Sequence, residues 1–191
     1  SILDKVDLDK FYKFLIGDLM EYNIKITRID VSNNISKDLS LEYIKIDKLT
    51  NSDNNKIINI SFLLNNWIEN NIIENKYVYK FDGDVPPYII PIYLDIRDPK
   101  TGLNKKYVDI MEGISFVNNS DNLQKTFIWE IHSLICQTSN NDYYSIVIDY
   151  NNNAIMFSDK HIPSSWQIDL SDKNTIIKIM QEVRFVFYKL Q

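Results

Sequence analysis

The chain has 191 residues, 45% hydrophobic and 13% aromatic, enough apolar side chains for one folded domain over 1–191 and too many for a disordered segment. Its net charge is −5, and only three of its 21 basic residues are arginine (Arg28, Arg97 and Arg184), which argues against direct nucleic-acid binding. A lone cysteine, Cys136, excludes an intrachain disulfide, and no apolar run approaches the roughly 18 residues of a membrane span, so the reading is a cytoplasmic protein without a signal-peptide pattern.

In chain order, Leu8, Phe11, Tyr12, Leu15, Leu19 and Tyr22 recur at helical spacing and predict a helix over 7–22, with Asp7 as cap. "NIKITRIDVS" alternates as a strand, with a possible bulge at Arg28-Ile29. "LEYIKIDKL" alternates too, "TNSDNN" turns the chain, and "KIINI" is read as its returning strand. From Ser61, a candidate cap, Leu64, Trp67 and Ile68 take helical spacing. "KYVYKF" is a short strand that "DGDVPP" breaks. Residues 88–97 and 104–112 read as the two arms of a hairpin around Asp98, Pro99 and Gly102, with Pro91 confining the first arm to an edge or a bulge.

Asp121 can cap a helix over 122–138 whose core face is Leu123, Phe127, Ile131, Leu134 and Ile135. "YYSIVIDY" and "AIMFSDK" form a hairpin through Asn151, Asn152 and Asn153. "HIPSSWQIDL" is a loop, and a last helix over 172–189 carries Ile176, Met180, Val183 and Phe187 on one stripe. Strands and helices come in blocks rather than in strict alternation. The expected fold is therefore α+β: a mostly antiparallel β-sheet packed with three to four helices in a single domain.

Motifs for chemistry are sparse. The four glycines (Gly17, Gly83, Gly102, Gly113) stand far apart, which excludes phosphate-cradling loops, and no G-x-S-x-G occurs. His132 and Cys136 at i, i+4 on the expected helix, with Asp159 and His161, form the one candidate set for a metal- or thiol-dependent enzyme. H-x-x-x-C is a weak pattern beside an apolar stripe, so a buried imidazole and a buried thiol are the better reading, with no metal and no cofactor. Asp149 and Asp159 flank Val147, Ile155 and Phe157 on one face of the hairpin, too far apart to share a metal.

The opposing expectation is a non-enzymatic acidic protein that binds a basic protein. Its candidate surface is Asp159, His161, Ile162, Trp166, Asp169 and Asp172, a large aromatic and an aliphatic framed by carboxylates. An immunity or inhibitor protein that neutralises a basic bacterial toxin fits that size and charge, and a subunit of a viral or plasmid-encoded assembly fits them too. The competing reading of Trp166 is a plug in the core beneath the last helix.

Overall fold

The computed structural model describes residues 10, 12, 22–30, 32–33, 35–49, 56–69, 77–81, 86–120, 123–149, 151 and 153–191. Strands dominate. They are β1 (Ile24–Asp30), β2 (Ile35–Leu41), β3 (Ile44–Ile46), β4 (Ile57–Asn59), β5 (Tyr77–Phe81), β6 (Ile89–Leu94), β7 (Tyr107–Asp109), β8 (Ile114–Ser120), β9 (Leu123–Gln137), β10 (Tyr143–Ile148), β11 (Ala154–Phe157), β12 (Ser165–Ile168) and β13 (Val183–Leu190). Among the described residues two helices of eight residues or more accompany them, α1 (Ile60–Glu69) and α2 (Lys173–Glu182), and Lys10 and Tyr12 are also helical.

The main sheet has eight strands in the order β12-β11-β10-β9-β13-β6-β3, with β8 also on β9. A second sheet runs β2-β1-β5, and β4 pairs with β7. Eight of the ten strand pairings are antiparallel; β3 with β6 and β4 with β7 are parallel. β9, about 50 Å long at strand rise, is the spine: β8 and β10 take successive stretches of one edge, and β13 takes the other.

The sheet order gives the core its shape. Ile90, Ile92, Leu94, Trp129, Leu134, Ile146, Val186 and Tyr188 bury one face against α1 and the 108–114 segment. Polar atoms carried inward are satisfied there: Trp129 Nε1 donates to Pro87 O at 2.7 Å and Tyr188 Oη to Ile110 O at 2.7 Å. On the opposite face Phe185, Phe187 and Ile135 meet Tyr12, Tyr43 and Tyr93, with Tyr12 stacked on Phe185 at 4.6 Å. The central strands are therefore covered on both sides.

Several expectations are corrected. The α+β fold with a mostly antiparallel sheet fits only in part: strands dominate, and the expected three to four helices give way to two of eight residues or more among the described residues. The 122–138 segment is strand β9, not a helix. The 172–189 segment changes state at Val183, whose backbone is extended (φ −62°, ψ 132°), so its second half is β13. The 88–97 and 104–112 arms do not pair as a long hairpin: the turn forms, closed by Asp98 N–H to Leu103 O and the Arg97–Asn104 bridge, but β6 lies between β13 and β3, and β7 lies on β4.

"KIINI" is a strand, yet it pairs with β7 rather than returning along β3. The β1 register runs without a bulge. Asn59, not Ser61, caps α1, its Oδ1 accepting from Ser61 N–H at 2.7 Å. The expected 7–22 helix lies outside the described residues except for Lys10, Tyr12 and Tyr22, as does its cap Asp7, and so does the Asp121 cap. Among the described residues no helix is long and apolar enough to cross a membrane.

Candidate functional site

The hairpin of β10 and β11 forms as its sequence indicates, in the register Val147–Ile155 and Ser145–Phe157. Asp149 shapes the turn: its carboxylate accepts from the N–H groups of Asn151 and Asn153 and from the Asn153 amide. These bonds, led by the Asn153 side chain, hold the Asp149 carboxyl below its ordinary range. Asp149 is thus a turn former at one end of β11, and Asp159 stands at the other.

Beyond β11 the chain folds tightly, Ser158 N–H donating to Ser164 O, and returns as β12. The stretch read as a loop, 161–170, therefore contains an edge strand of the main sheet. Asp159, His161 and Ile162 sit in the turn, all exposed, with Ile162 fully so. Trp166 is opposite Met156 on the core side, half-buried, and meets the His161 ring edge-to-face at 5.1 Å. It is neither the core plug nor a freely exposed anchor. Lys160 reaches Asp142 at 3.8 Å, a loose ion pair between exposed groups across to the β9–β10 turn.

Asp169 and Asp172 lie past the far end of β12, about 10 Å or more along the strand from the turn. Both organise the entry to α2. Asp172 is its N-cap and accepts from Thr175 N–H and Oγ1 at 2.8 Å, while Asp169 accepts from Ser171 Oγ at 2.6 Å and Ser171 N–H at 2.8 Å. The Thr175 and Ser171 bonds lower the two carboxyls' pKa values. Among the described residues, none of Asp159, Asp169 and Asp172 has an ion-pair partner. The structure thus brings Asp159, His161, Ile162 and Trp166 together and sets Asp169 and Asp172 apart, with β12 between.

The enzyme candidates are not brought together. Cys136 faces the core of β9 and is fully buried beside Tyr144, whose Oη donates to Glu182 Oε2 at 2.7 Å. Burial pushes the thiol up to about 12, far from the thiolate a nucleophile needs. His132 is four residues along the same strand, about 13 Å away at strand rise rather than one helical turn, and its Nδ1 lies 3.2 Å from Ser133 Oγ. Asp159 and His161 are on the surface. Among the described residues no three His, Cys, Asp or Glu side chains assemble as a metal site.

The sequence placed Val147, Ile155 and Phe157 on one face but did not read them as surface. In the structure they are exposed side by side on the outer face of β10 and β11, retaining 36–41% of their area. The available signal was apolar residues on both faces of these strands: Tyr144, Ile146, Ile148 and Ala154 fill the inner face, so the outer apolar residues needed another role.

No protein-family description matches the chain, and no curated protein sequence matches it. Solved structures do. The Saccharomyces cerevisiae PAN2 pseudoubiquitin-hydrolase superposes with a TM-score of 0.59 at 11% identity, over 96% of this chain and 65% of that one. The same organism's PAN2 pseudoubiquitin-hydrolase-RNase module gives 0.59 at 12%, over 97% and 37%. A Ubp8-Sgf11-Sgf73-Sus1 SAGA DUB module gives 0.55 at 13%, over 97% and 48%. The chain spans 37–65% of the length of these proteins, and at such identities the likeness is one of fold.

Proposed function

We propose that the chain is a non-enzymatic protein-binding domain that docks a basic protein against the outer face of β10 and β11 and the β12 margin. The observation that carries this is the contiguous exposure of Val147, Ile155 and Phe157, next to the fully exposed Ile162 and bordered by Asp149 and Asp159. An apolar patch rimmed by charge is the usual composition of a protein interface. Charge complementarity selects the occupant, since the net charge is −5 and, among the described residues, Asp149 and Asp159 have no ion-pair partner. The sealed Cys136 supports a non-enzymatic role. The narrowest form of the proposal is an immunity or inhibitor protein that occludes a basic toxin.

A photo-crosslinking residue at Phe157 identifies the partner, which is then purified for binding measurements. Phe157→Asp weakens its binding about 30-fold or more, equivalent to about 2 kcal/mol at an interface hot spot, with little change in melting temperature. Ile57→Asp, at an exposed apolar residue on β4, leaves binding intact. Unchanged affinity in Phe157→Asp overturns the docking face, and a Cys136-dependent hydrolytic activity of the pure chain overturns the non-enzymatic role.

A further inference from the structure

Two of the three arginines converge at one end of the main sheet. Arg97 follows β6, and its backbone bridges Asn104; residues opposite each other in an antiparallel bridge project to the same side. The Arg97 guanidinium donates to Gly102 O, Gln137 Oε1 (2.6 Å), Asn141 Oδ1 (3.1 Å) and Thr138 O (2.8 Å), fastening the 98–102 turn to the β9–β10 turn. Every one of these acceptors is neutral.

Arg184 reaches the same place by a different route. In the β13–β9 ladder Val183 faces Cys136 and Phe185 faces Ile135, so Arg184 is the extra residue of a β-bulge, a device that re-aims a side chain. Its guanidinium lies over the Tyr93 ring at 5.7 Å, and its Nη1 donates to Asn104 Oδ1 at a long 3.4 Å. The Asn104 amide is itself held by Met180 O and Val183 O, which fixes Oδ1 toward Arg184.

A guanidinium has five N–H donors. Arg97 commits four, whereas Arg184, only 6% exposed, commits one. Among the described residues neither cation has an ion-pair partner. The remaining Arg184 N–H groups are not sealed: the one buried, unpaired side-chain nitrogen or oxygen among the described residues is Asn66 Nδ2. Burial, and after it the nearby Arg184 charge, lower the Arg97 pKa. Water reaches those Arg184 N–H groups, and an oxyanion that replaced it would pair a largely buried cation whose one protein hydrogen bond is long and to a neutral amide.

We propose that Arg97 and Arg184 form a binding site for a small oxyanion, a carboxylate or a phosphate group, seated on the free N–H fork of Arg184 beside Tyr93. The planar fork suits paired oxygens. The site is independent of the proposed docking face.

With three arginines in the chain, the Nε–H region of a ¹H–¹⁵N spectrum of the native protein resolves the question. Sodium phosphate and sodium acetate are titrated separately against sodium chloride at equal ionic strength. The Arg97 and Arg184 signals shift saturably with one shared dissociation constant, and Arg28 on β1 stays still; the tighter of the two salts identifies the group. Arg184→Lys keeps the charge but loses the fork, and weakens binding about 10-fold or more. Equal shifts in chloride, parallel movement of Arg28, or the absence of saturation overturns the proposal, as does an Arg184→Gln protein in which the Arg97 signal still saturates.

Discussion

Replacing Tyr144 by Phe removes one atom from the hydrogen bond that ties β10 to the last residue of α2. The Tyr144 Oη to Glu182 Oε2 distance is 2.7 Å, and Glu182 retains only 8% of its area. A hydrogen bond to a charged acceptor contributes about 1.5–3 kcal/mol, and a carboxylate stripped of its donor in the interior adds a desolvation cost, so Tyr144→Phe should cost about 2 kcal/mol. Glu182→Met removes the acceptor together with its charge but leaves the Tyr144 hydroxyl without its partner, and should cost about 1 kcal/mol. The double variant should then cost about 1.5 kcal/mol, less than Tyr144→Phe alone, giving a coupling of about 1.5 kcal/mol. Urea unfolding of the four proteins, followed by tryptophan fluorescence, measures this directly. Additive costs, with a coupling below about 0.3 kcal/mol, would show that the buried pair does not act as a unit.

Cys136 should resist iodoacetamide at pH 8 in the folded protein and react in step with global unfolding in urea; prompt labelling would contradict its burial. Trp166→Ala should cost about 1–2 kcal/mol by thermal melt, below the 3–5 of a fully buried tryptophan, and His161→Ala should alter Trp166 emission through the lost ring contact. A cost above about 3 kcal/mol would restore the core-plug reading. The carboxyls of Asp149, Asp169 and Asp172 have pKa values lowered by folding, so their stabilisation is present above the ordinary carboxyl range and disappears as pH falls through their folded values. Melting temperature should therefore drop below about pH 4, and Asp172→Asn should flatten that acid limb; an unchanged limb would discount the α2 cap.

The β10–β11 hairpin was legible because two short runs rich in β-branched and aromatic residues flank a turn that carries Asp149 and asparagines. β9 was not, and its bulge explains the failure. Tyr188 faces Ile131 and Phe187 faces Ser133, so His132 is an extra residue that moves the core-facing positions from Trp129 and Ile131 to Leu134 and Cys136. That shift turns a two-residue period into the spacings of 4, 3 and 1 from Phe127 through Ile131 and Leu134 to Ile135, which imitate a helix. β13 failed for a different reason. Val183, Phe185, Val186 and Tyr188 are buried between two covered faces, and a strand sealed on both sides reads as a continuous apolar run without period. At the candidate site the carboxylates and Trp166 were visible as residue types. The outward apolar face and the Arg97–Arg184 juxtaposition depend on strand order, which local patterning does not encode.

The position of β13 has a consequence for how the molecule is made. It lies between β6 and β9 although it follows both in sequence, so a nascent chain that has emerged only through residue 182 holds a sheet with an open slot. Until Val183–Leu190 arrives, the facing edges of β6 and β9 offer unpaired backbone groups flanked by Ile90, Ile92 and Leu134. The sheet is thus completed by insertion of a strand into its middle rather than by addition at its rim, and the interval before that insertion is when these edges are most exposed to pairing with a neighbour.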